Sequence, residues 1–278
     1  MKVVIIGGVA AGAKAAAKTK RMRPDAQVDI YTKDTHVSYS SCGLPYYVQG
    51  NFEDYKKLII RTPEKFEEDG INIHLRNEII KILPEKKQVI ALNLDTNTAC
   101  PVDYDKLVIA TGAYPIIPNV RNVNLKNIFT LRTLEDGISL REKLRQSTRA
   151  VIVGGGYIGI EVLEAFVANN VYTTLVESNE TIMPALDSEL ARIVQDYMGT
   201  IKPNLTHIIT NDRVVEFIGD SEVQAIKTAS GQIIETDLVL LSVGIKPTVE
   251  IASSAGIELG PTGAIKVNSR METNIRDI

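Results

Sequence analysis

The sequence predicts an α/β fold of two doubly wound, three-layer domains, one inserted in the other. Three observations carry that prediction. A strand–glycine turn–helix–strand unit occurs twice, each copy is followed by a matching apolar strand that ends on glycine, and alternating apolar segments fill the intervals. At 278 residues the chain exceeds one average domain. Its hydrophobic fraction of 44% and charged fraction of 23% are those of a globular protein able to bury more than one core.

The first unit opens with Lys2-Val3-Val4-Ile5-Ile6 and turns through Gly7-Gly8-Val9-Ala10-Ala11-Gly12. It continues as an Ala-rich helix to about Arg21 and returns as Val28-Asp29-Ile30-Tyr31. The second unit repeats this with Ala150-Val151-Ile152-Val153, Gly154-Gly155-Gly156-Tyr157-Ile158-Gly159, a helix through Ala168, and Thr173-Thr174-Leu175-Val176. The echo strands are Asp105 to Gly112 and Asp237 to Gly244, followed by Pro115 and Pro247. Ile71–Leu75, Ile79–Leu83 and Val214–Ile218 alternate apolar and polar residues, which predicts antiparallel strands. The implied division assigns 1–115 and 246–278 to the first domain and 116–245 to the inserted one.

A pyrophosphate requires backbone N–H groups and the positive end of a helix, with no side chain in the way. Gly154, Gly156 and Gly159 have the G-x-G-x-x-G spacing between a strand and a helix. Glu177 ends the next strand, where a carboxylate accepts hydrogen bonds from both ribose hydroxyls. That favours NADH, because Ser178 and Asn179 supply no arginine for a 2′-phosphate. In the first unit Gly7 and Gly12 match, but Val9 replaces the middle glycine. Thr32 stands where an acid is expected, with Asp34 two residues later as a substitute.

Other classes are disfavoured. A net charge of −3 gives no reason to expect nucleic acid or an anionic membrane as partner. Gly7, Gly8 and Gly12 interrupt the N-terminal apolar run where a signal peptide would stay hydrophobic, and no stretch reaches the length of a membrane helix. Two cysteines do not make a disulfide framework, so a reducing, cytoplasmic compartment is expected. His36, His74 and His207 have no metal-binding spacing.

Cys42 lies in Ser38-Tyr39-Ser40-Ser41-Cys42-Gly43-Leu44-Pro45-Tyr46-Tyr47. Pro45 suits a helix start, which sets Cys42 near a helix N-terminus, where the dipole favours a reactive thiolate. The plain alternative is a buried, inert cysteine, the reading given to Cys100. GGVAAG, SYSSCGLPYY, the Ala110-Thr111-Gly112 strand end and VIVGGGYIGIE together resemble the single-cysteine branch of the pyridine nucleotide–disulfide oxidoreductases. That branch comprises coenzyme A disulfide reductases, persulfide reductases and NADH oxidases, and the resemblance runs from Met1 to Ile278. Valine at position 9 is usual there, whereas Thr32 departs from the usual Glu.

The resemblance implies that the first Rossmann-like domain binds FAD through Gly7, Gly8, Ala11, Gly12, Thr32, Lys33, Thr111, Gly112 and Arg132. The second would bind NADH through Gly154, Gly156, Tyr157, Ile158, Gly159, Glu177 and Gly244. Tyr157 is expected to cover the flavin face until nicotinamide displaces it. Electrons pass from nicotinamide through flavin to Cys42. Tyr47 and Val37 hold the positions that flank it, so the cysteine cycles as a mixed disulfide or a sulfenic acid.

For the acceptor, Ala10 replaces the histidine usual in peroxidase and oxidase members. Lys14, Lys18 and Arg21 fall on one helix face. In coenzyme A reductases of the family that face, with the Ser38 and Ser41 positions, holds coenzyme A; spacing alone reads it as a solvated basic face. A small-molecule disulfide, coenzyme A disulfide among them, is therefore the expected substrate. An NADH oxidase is the enzymatic alternative, and a redox sensor without turnover is the alternative of another class. Met271 to Ile278 resembles the approach to the family's last flavin motif. A C-terminally truncated chain with weak FAD binding is accordingly expected, and a homodimer for the full-length protein.

Overall fold

The computed structural model describes residues 1–278. In chain order the first elements are β1 (Lys2–Ile6), α1 (Ala11–Met22), β2 (Gln27–Tyr31), α2 (Leu44–Gln49), α3 (Pro63–Glu68), β3 (Ile71–His74), β4 (Asn77–Leu83), β5 (Gln88–Asn93), β6 (Thr98–Asp103), β7 (Lys106–Ile109) and β8 (Ala113–Pro115). They are followed by β9 (Ile128–Phe129), α4 (Leu134–Leu144), β10 (Arg149–Val153), α5 (Tyr157–Ala168), β11 (Tyr172–Val176), α6 (Ser188–Thr200) and β12 (Thr206–Ile209). The last are β13 (Val214–Ile218), β14 (Ala225–Thr228), β15 (Ile233–Glu235), β16 (Leu238–Leu241), β17 (Ile245–Pro247) and α7 (Glu250–Ser254). The chain forms two compact units, Met1–Ser40 with Lys56–Tyr114 and Pro247–Ile278, and Ser41–Tyr55 with Pro115–Lys246.

The first unit is built on a parallel sheet in the order β3-β2-β1-β7. Its central strand β1 is a continuous β-branched run, Val3-Val4-Ile5-Ile6, because both of its faces are covered. Val3, Ile5, Val28 and Ile30 pack with Ala13 and Ala16 of α1 and Phe66 of α3. On the other face Val4, Ile6 and Leu107 meet Ile79, Ile82, Val89 and Val102 of the antiparallel sheet β4-β5-β6. Helices, parallel sheet and antiparallel sheet thus make the three layers, and each buried Val or Ile contributes roughly 1.5–3 kcal/mol before chain entropy is counted.

The second unit repeats the plan. Its parallel sheet runs β12-β11-β10-β16-β9, and Val151, Val153, Val239 and Leu241 pack against Phe217 and Ile226 of the antiparallel sheet β13-β14-β15. On the helical side α5 buries Val162, Leu163 and Phe166 and packs against β10 and β11. The sequence repeat is therefore a repeat of architecture: β1, β2, β3 and β7 correspond to β10, β11, β12 and β16.

Two expectations require correction. Ile71–Leu75 is not antiparallel: β3 pairs parallel with β2, Val28 opposite Ile71. The short helix α3 returns the chain to the same end of the sheet, as a crossover does. The alternation reflects an edge strand, in which only Ile71 is fully buried. Ile79–Leu83 and Val214–Ile218 do lie in antiparallel pairs.

The second correction concerns the division of the chain, because the cysteine-bearing segment Ser41–Tyr55 belongs to the second unit. Tertiary packing explains it. Helix α2 lies against α4 and α5, and Leu44 fits where a Cβ on Gly137 would come within 2.8 Å of its Cδ2. Asn169 donates from Nδ2 to the Gln49 carbonyl at 2.9 Å. Arg141, only 4% exposed, donates to the Phe52 carbonyl at 2.7 Å and to Glu53 Oε1 at 2.9 Å, with its guanidinium 4.4 Å from the Tyr47 ring centre. Arg141→Ala leaves that carbonyl without its donor and should lower the stability of this unit by about 2 kcal/mol. Urea unfolding checks this, and an unchanged midpoint would contradict it.

Candidate active site

In the second unit Gly154 has φ +103°, and a Cβ there would lie 2.6 Å from the Ser242 carbonyl oxygen. Only glycine suits that turn. A Cβ on Gly159 would come within 2.1 Å of the Gly154 oxygen, so its absence lets α5 pack close. Gly156 differs: nothing lies within 4 Å of its Cβ position. It begins α5, which has no side-chain cap and no acid in its first turn. The first N–H groups of α5 thus face open space suited to an anion. Tyr157, 58% exposed, and the exposed Ile158 follow it. A cleft of about 740 Å³ adjoins the turn, lined among others by Gly154, Gly156, Glu177, Arg213 and Gly244.

Glu177 directly follows β11, at the strand end where it is expected, but its carboxylate is turned onto its own chain. It is 5% exposed. Its Oε2 accepts from the Gly155 N–H at 2.7 Å. Its Oε1 accepts from the Asn179 N–H at 2.8 Å, the Asn179 amide at 2.6 Å and the Ser178 hydroxyl at 3.2 Å. The carboxylate therefore fastens the glycine turn to the 177–179 loop instead of standing open to two ribose hydroxyls.

Backbone N–H groups of Asn211 and Asp212 donate to the carbonyls of Asn179 and Glu177, at 2.9 and 3.2 Å. These bonds lay residues 211–213 along the same edge of the cleft. Burial works to raise the Asp212 carboxyl, but hydrogen bonds from the Ser230 and Thr228 hydroxyls and the N–H groups of Arg213 and Ser230 outweigh it and hold the pKa at about 2. Against its ordinary 3.8, a depressed value stabilises the fold above about pH 4 and loses that contribution as pH falls towards 2. Asp212→Asn should flatten the acid limb of the stability curve in that window. An identical limb in variant and parent, measured by urea unfolding at each pH, would contradict this.

The first unit has the same turn. Gly7 has φ +99° and a Cβ position 2.2 Å from the Ala110 oxygen, while a Cβ on Gly12 would meet the Gly7 oxygen at 1.8 Å. Gly8 is buried against Val37. Helix α1 begins at the exposed Ala11 with no side-chain cap and no acid in its first turn. Thr32 is 4% exposed, its hydroxyl donates to Asp34 at 3.2 Å, and the Asp34 N–H donates back at 3.3 Å. The acid at this strand end is thus Asp34, held by Thr32, with Lys33 exposed between them. Thr111 donates to the Thr248 carbonyl at 2.6 Å, and Gly112, φ +71°, accepts from the Thr248 N–H at 3.0 Å.

Lys14, Lys18 and Arg21 are all exposed along α1. Ser38 has φ +49° and donates its N–H to the Gly8 carbonyl at 2.9 Å, which ties the glycine turn to the segment leading towards Cys42. Ser41, Cys42 and Arg132 lie in the second unit, unlike the other expected flavin and substrate residues. Arg132 precedes α4, where its N–H donates to the Asp136 carboxylate at 2.8 Å.

Cys42 is exposed in the 3-10 turn Ser41–Gly43, which runs directly into α2 with Pro45 in the helix's first turn. The cysteine is therefore presented at a helix start, although the helix is short. Cys100, expected to be buried, is instead exposed on β6, a strand in which only Val102 is buried. No group of three His, Cys, Asp or Glu side chains is placed to hold a metal, and no helix is long and apolar enough to cross a membrane. Sequence reasoning missed Arg141, Asp212 and Arg213, whose roles depend on contacts made far along the chain.

Two glycine-turn units, each built on a parallel sheet with an antiparallel sheet behind it, define a protein of the two-dinucleotide class. The chain belongs to the pyridine nucleotide-disulphide oxidoreductase family, whose sequence profile matches residues 1–278. It is 35% identical over 280 residues to an NAD(P)H sulfur oxidoreductase (CoA-dependent) of Pyrococcus abyssi, covering 99% of this chain and 60% of the relative. It is 32% identical to an NADH oxidase of Enterococcus faecalis, covering 100% of this chain and 62% of that protein. The structure of an NAD-dependent persulfide reductase from A. fulgidus superposes with a TM-score of 0.95 at 31% identity, over 100% of this chain and 52% of that one. The chain thus spans about 60% of the length of these curated relatives.

Proposed function

We propose that this chain is the nucleotide-binding part of an FAD-dependent NAD(P)H:disulfide oxidoreductase in which Cys42 is the redox nucleophile. The observation that carries the reading is the exposed Cys42 at the start of α2, in a chain with two uncapped glycine-turn helix ends. The residues fit both dinucleotides. Gly7, Gly8, Gly12 and the first N–H groups of α1 would hold the FAD pyrophosphate, and Gly154, Gly156, Gly159 and those of α5 that of the nicotinamide coenzyme. FAD, when bound, supplies the two-electron link between nicotinamide and sulfur.

Cys42 thiolate attacks one sulfur of a low-molecular-weight disulfide, forming a mixed disulfide and releasing one thiolate. Two electrons and a proton, ultimately from NAD(P)H, then regenerate Cys42 and release the second thiol. Lys14, Lys18 and Arg21, with Ser38 and Ser41, are proposed to hold a phosphorylated thiol such as coenzyme A. The CoA-dependent relative supports that choice. The NADH oxidase relative keeps oxygen as the second acceptor. A homodimer and a reducing, cytoplasmic compartment complete the proposal.

Steady-state NAD(P)H consumption by the complete protein tests it. Turnover that depends on coenzyme A disulfide supports the reductase, and turnover on oxygen alone makes the protein an oxidase. No consumption with any acceptor would leave only nucleotide binding and sink the enzymatic reading.

A further inference from the structure

We propose that Arg213 binds the 2′-phosphate of NADPH, so that the second unit accepts NADPH as well as NADH. This rests on reading that unit as a nicotinamide coenzyme site. Three charged side chains line its cleft: Glu177, Asp212 and Arg213. Glu177 accepts four hydrogen bonds from Gly155, Ser178 and Asn179. Asp212 accepts from the Ser230 hydroxyl at 2.6 Å, the Ser230 N–H at 3.2 Å and the Arg213 N–H at 2.8 Å. Both carboxylates are buried, and their charge is spread over donors of their own chain. Arg213 is exposed, and no acidic side chain pairs with it.

The placement of Arg213 decides which phosphate it meets. The pyrophosphate belongs to the N-terminus of α5, where backbone N–H groups suffice. Residues 211–213 are instead bonded to the 177–179 loop, through Asn211 to Asn179 and Asp212 to Glu177. That loop follows β11, the strand end at which the adenosine ribose and any 2′-phosphate are recognised. A buried carboxylate already satisfied by four donors repels a 2′-phosphate less than one aimed at it, and a guanidinium pairs with phosphate in two-pronged geometry. The arginine that residues 178 and 179 do not supply arrives from the next loop of the same unit.

Isothermal titration of this chain with NAD+, NADP+, 5′-AMP and 2′,5′-ADP tests the inference without any flavin. We expect the Kd values for NADP+ and NAD+ to agree within about tenfold, with 2′,5′-ADP tighter than 5′-AMP. Arg213→Ala should raise the NADP+/NAD+ ratio of Kd values about 10- to 100-fold, whereas Arg213→Lys, which keeps the charge but loses the two-pronged geometry, should give a ratio between those of the parent and Arg213→Ala. A ratio unchanged in Arg213→Ala, or NAD+ binding without measurable NADP+ binding, overturns the role of Arg213. Failure of both coenzymes to bind the folded parent chain overturns the coenzyme site itself, which is a distinct result.

Discussion

Cys42→Ser, assayed in the complete protein, is expected to lower disulfide-dependent NAD(P)H oxidation by about a thousandfold or more. A serine hydroxyl is close in size but cannot form the mixed disulfide proposed as the route of the electrons to substrate. Cys42 sits in an exposed turn, outside the core, so the change removes the sulfur without opening a cavity. Binding of NAD+ at the proposed α5 turn should survive in the variant. Retention of a tenth or more of the activity would assign the chemistry elsewhere, with Cys100 the only other thiol in the sequence.

A pair of glycine variants should separate folding from binding in the second unit. Gly154→Ala places a Cβ 2.6 Å from the Ser242 oxygen at φ +103°. Left-handed strain and overlap together should destabilise the unit by about 3 kcal/mol. Gly156→Ala has φ −74° and ψ −174°, which any residue adopts, and no neighbour within 4 Å. Its stability should stay within about 1 kcal/mol of the parent. Its methyl group would nevertheless fill the space required by the pyrophosphate, so NAD+ affinity should fall roughly thirtyfold or more, by analogy with a lost charge-assisted hydrogen bond or two. Urea midpoints and calorimetric Kd values read both effects. Unchanged affinity in Gly156→Ala would mean that the open end of α5 is not the phosphate cradle.

The architecture was legible in the sequence because its signals are local. Valine and isoleucine runs, glycines at fixed spacing and the repeat itself define β1-α1-β2 and β10-α5-β11 without knowledge of any distant contact. The same locality hid what the tertiary structure decides. Nothing near Leu44 or Phe52 announces that α2 packs on α4 and α5, because the anchors Gly137, Arg141 and Asn169 lie far along the chain. The strand at Ile71 was readable as a strand but not in its direction, which the crossover helix α3 sets. Glu177 was found at its strand end, but the four donors that turn its carboxylate inward were not foreseeable from spacing. Arg213 carries no local signal for a related reason: its loop is brought beside Glu177 only by the β11–β12 pairing.

The central claim is that Cys42 carries the disulfide chemistry, and intact-protein and peptide mass spectrometry test it most directly. The reduced complete protein would be mixed with coenzyme A disulfide without air, quenched with acid, and digested. The account predicts one coenzyme A joined through a disulfide to Cys42, removed when NADH is added before the quench. An unmodified Cys42 thiol under conditions in which the protein still consumes NADH and coenzyme A disulfide would contradict it.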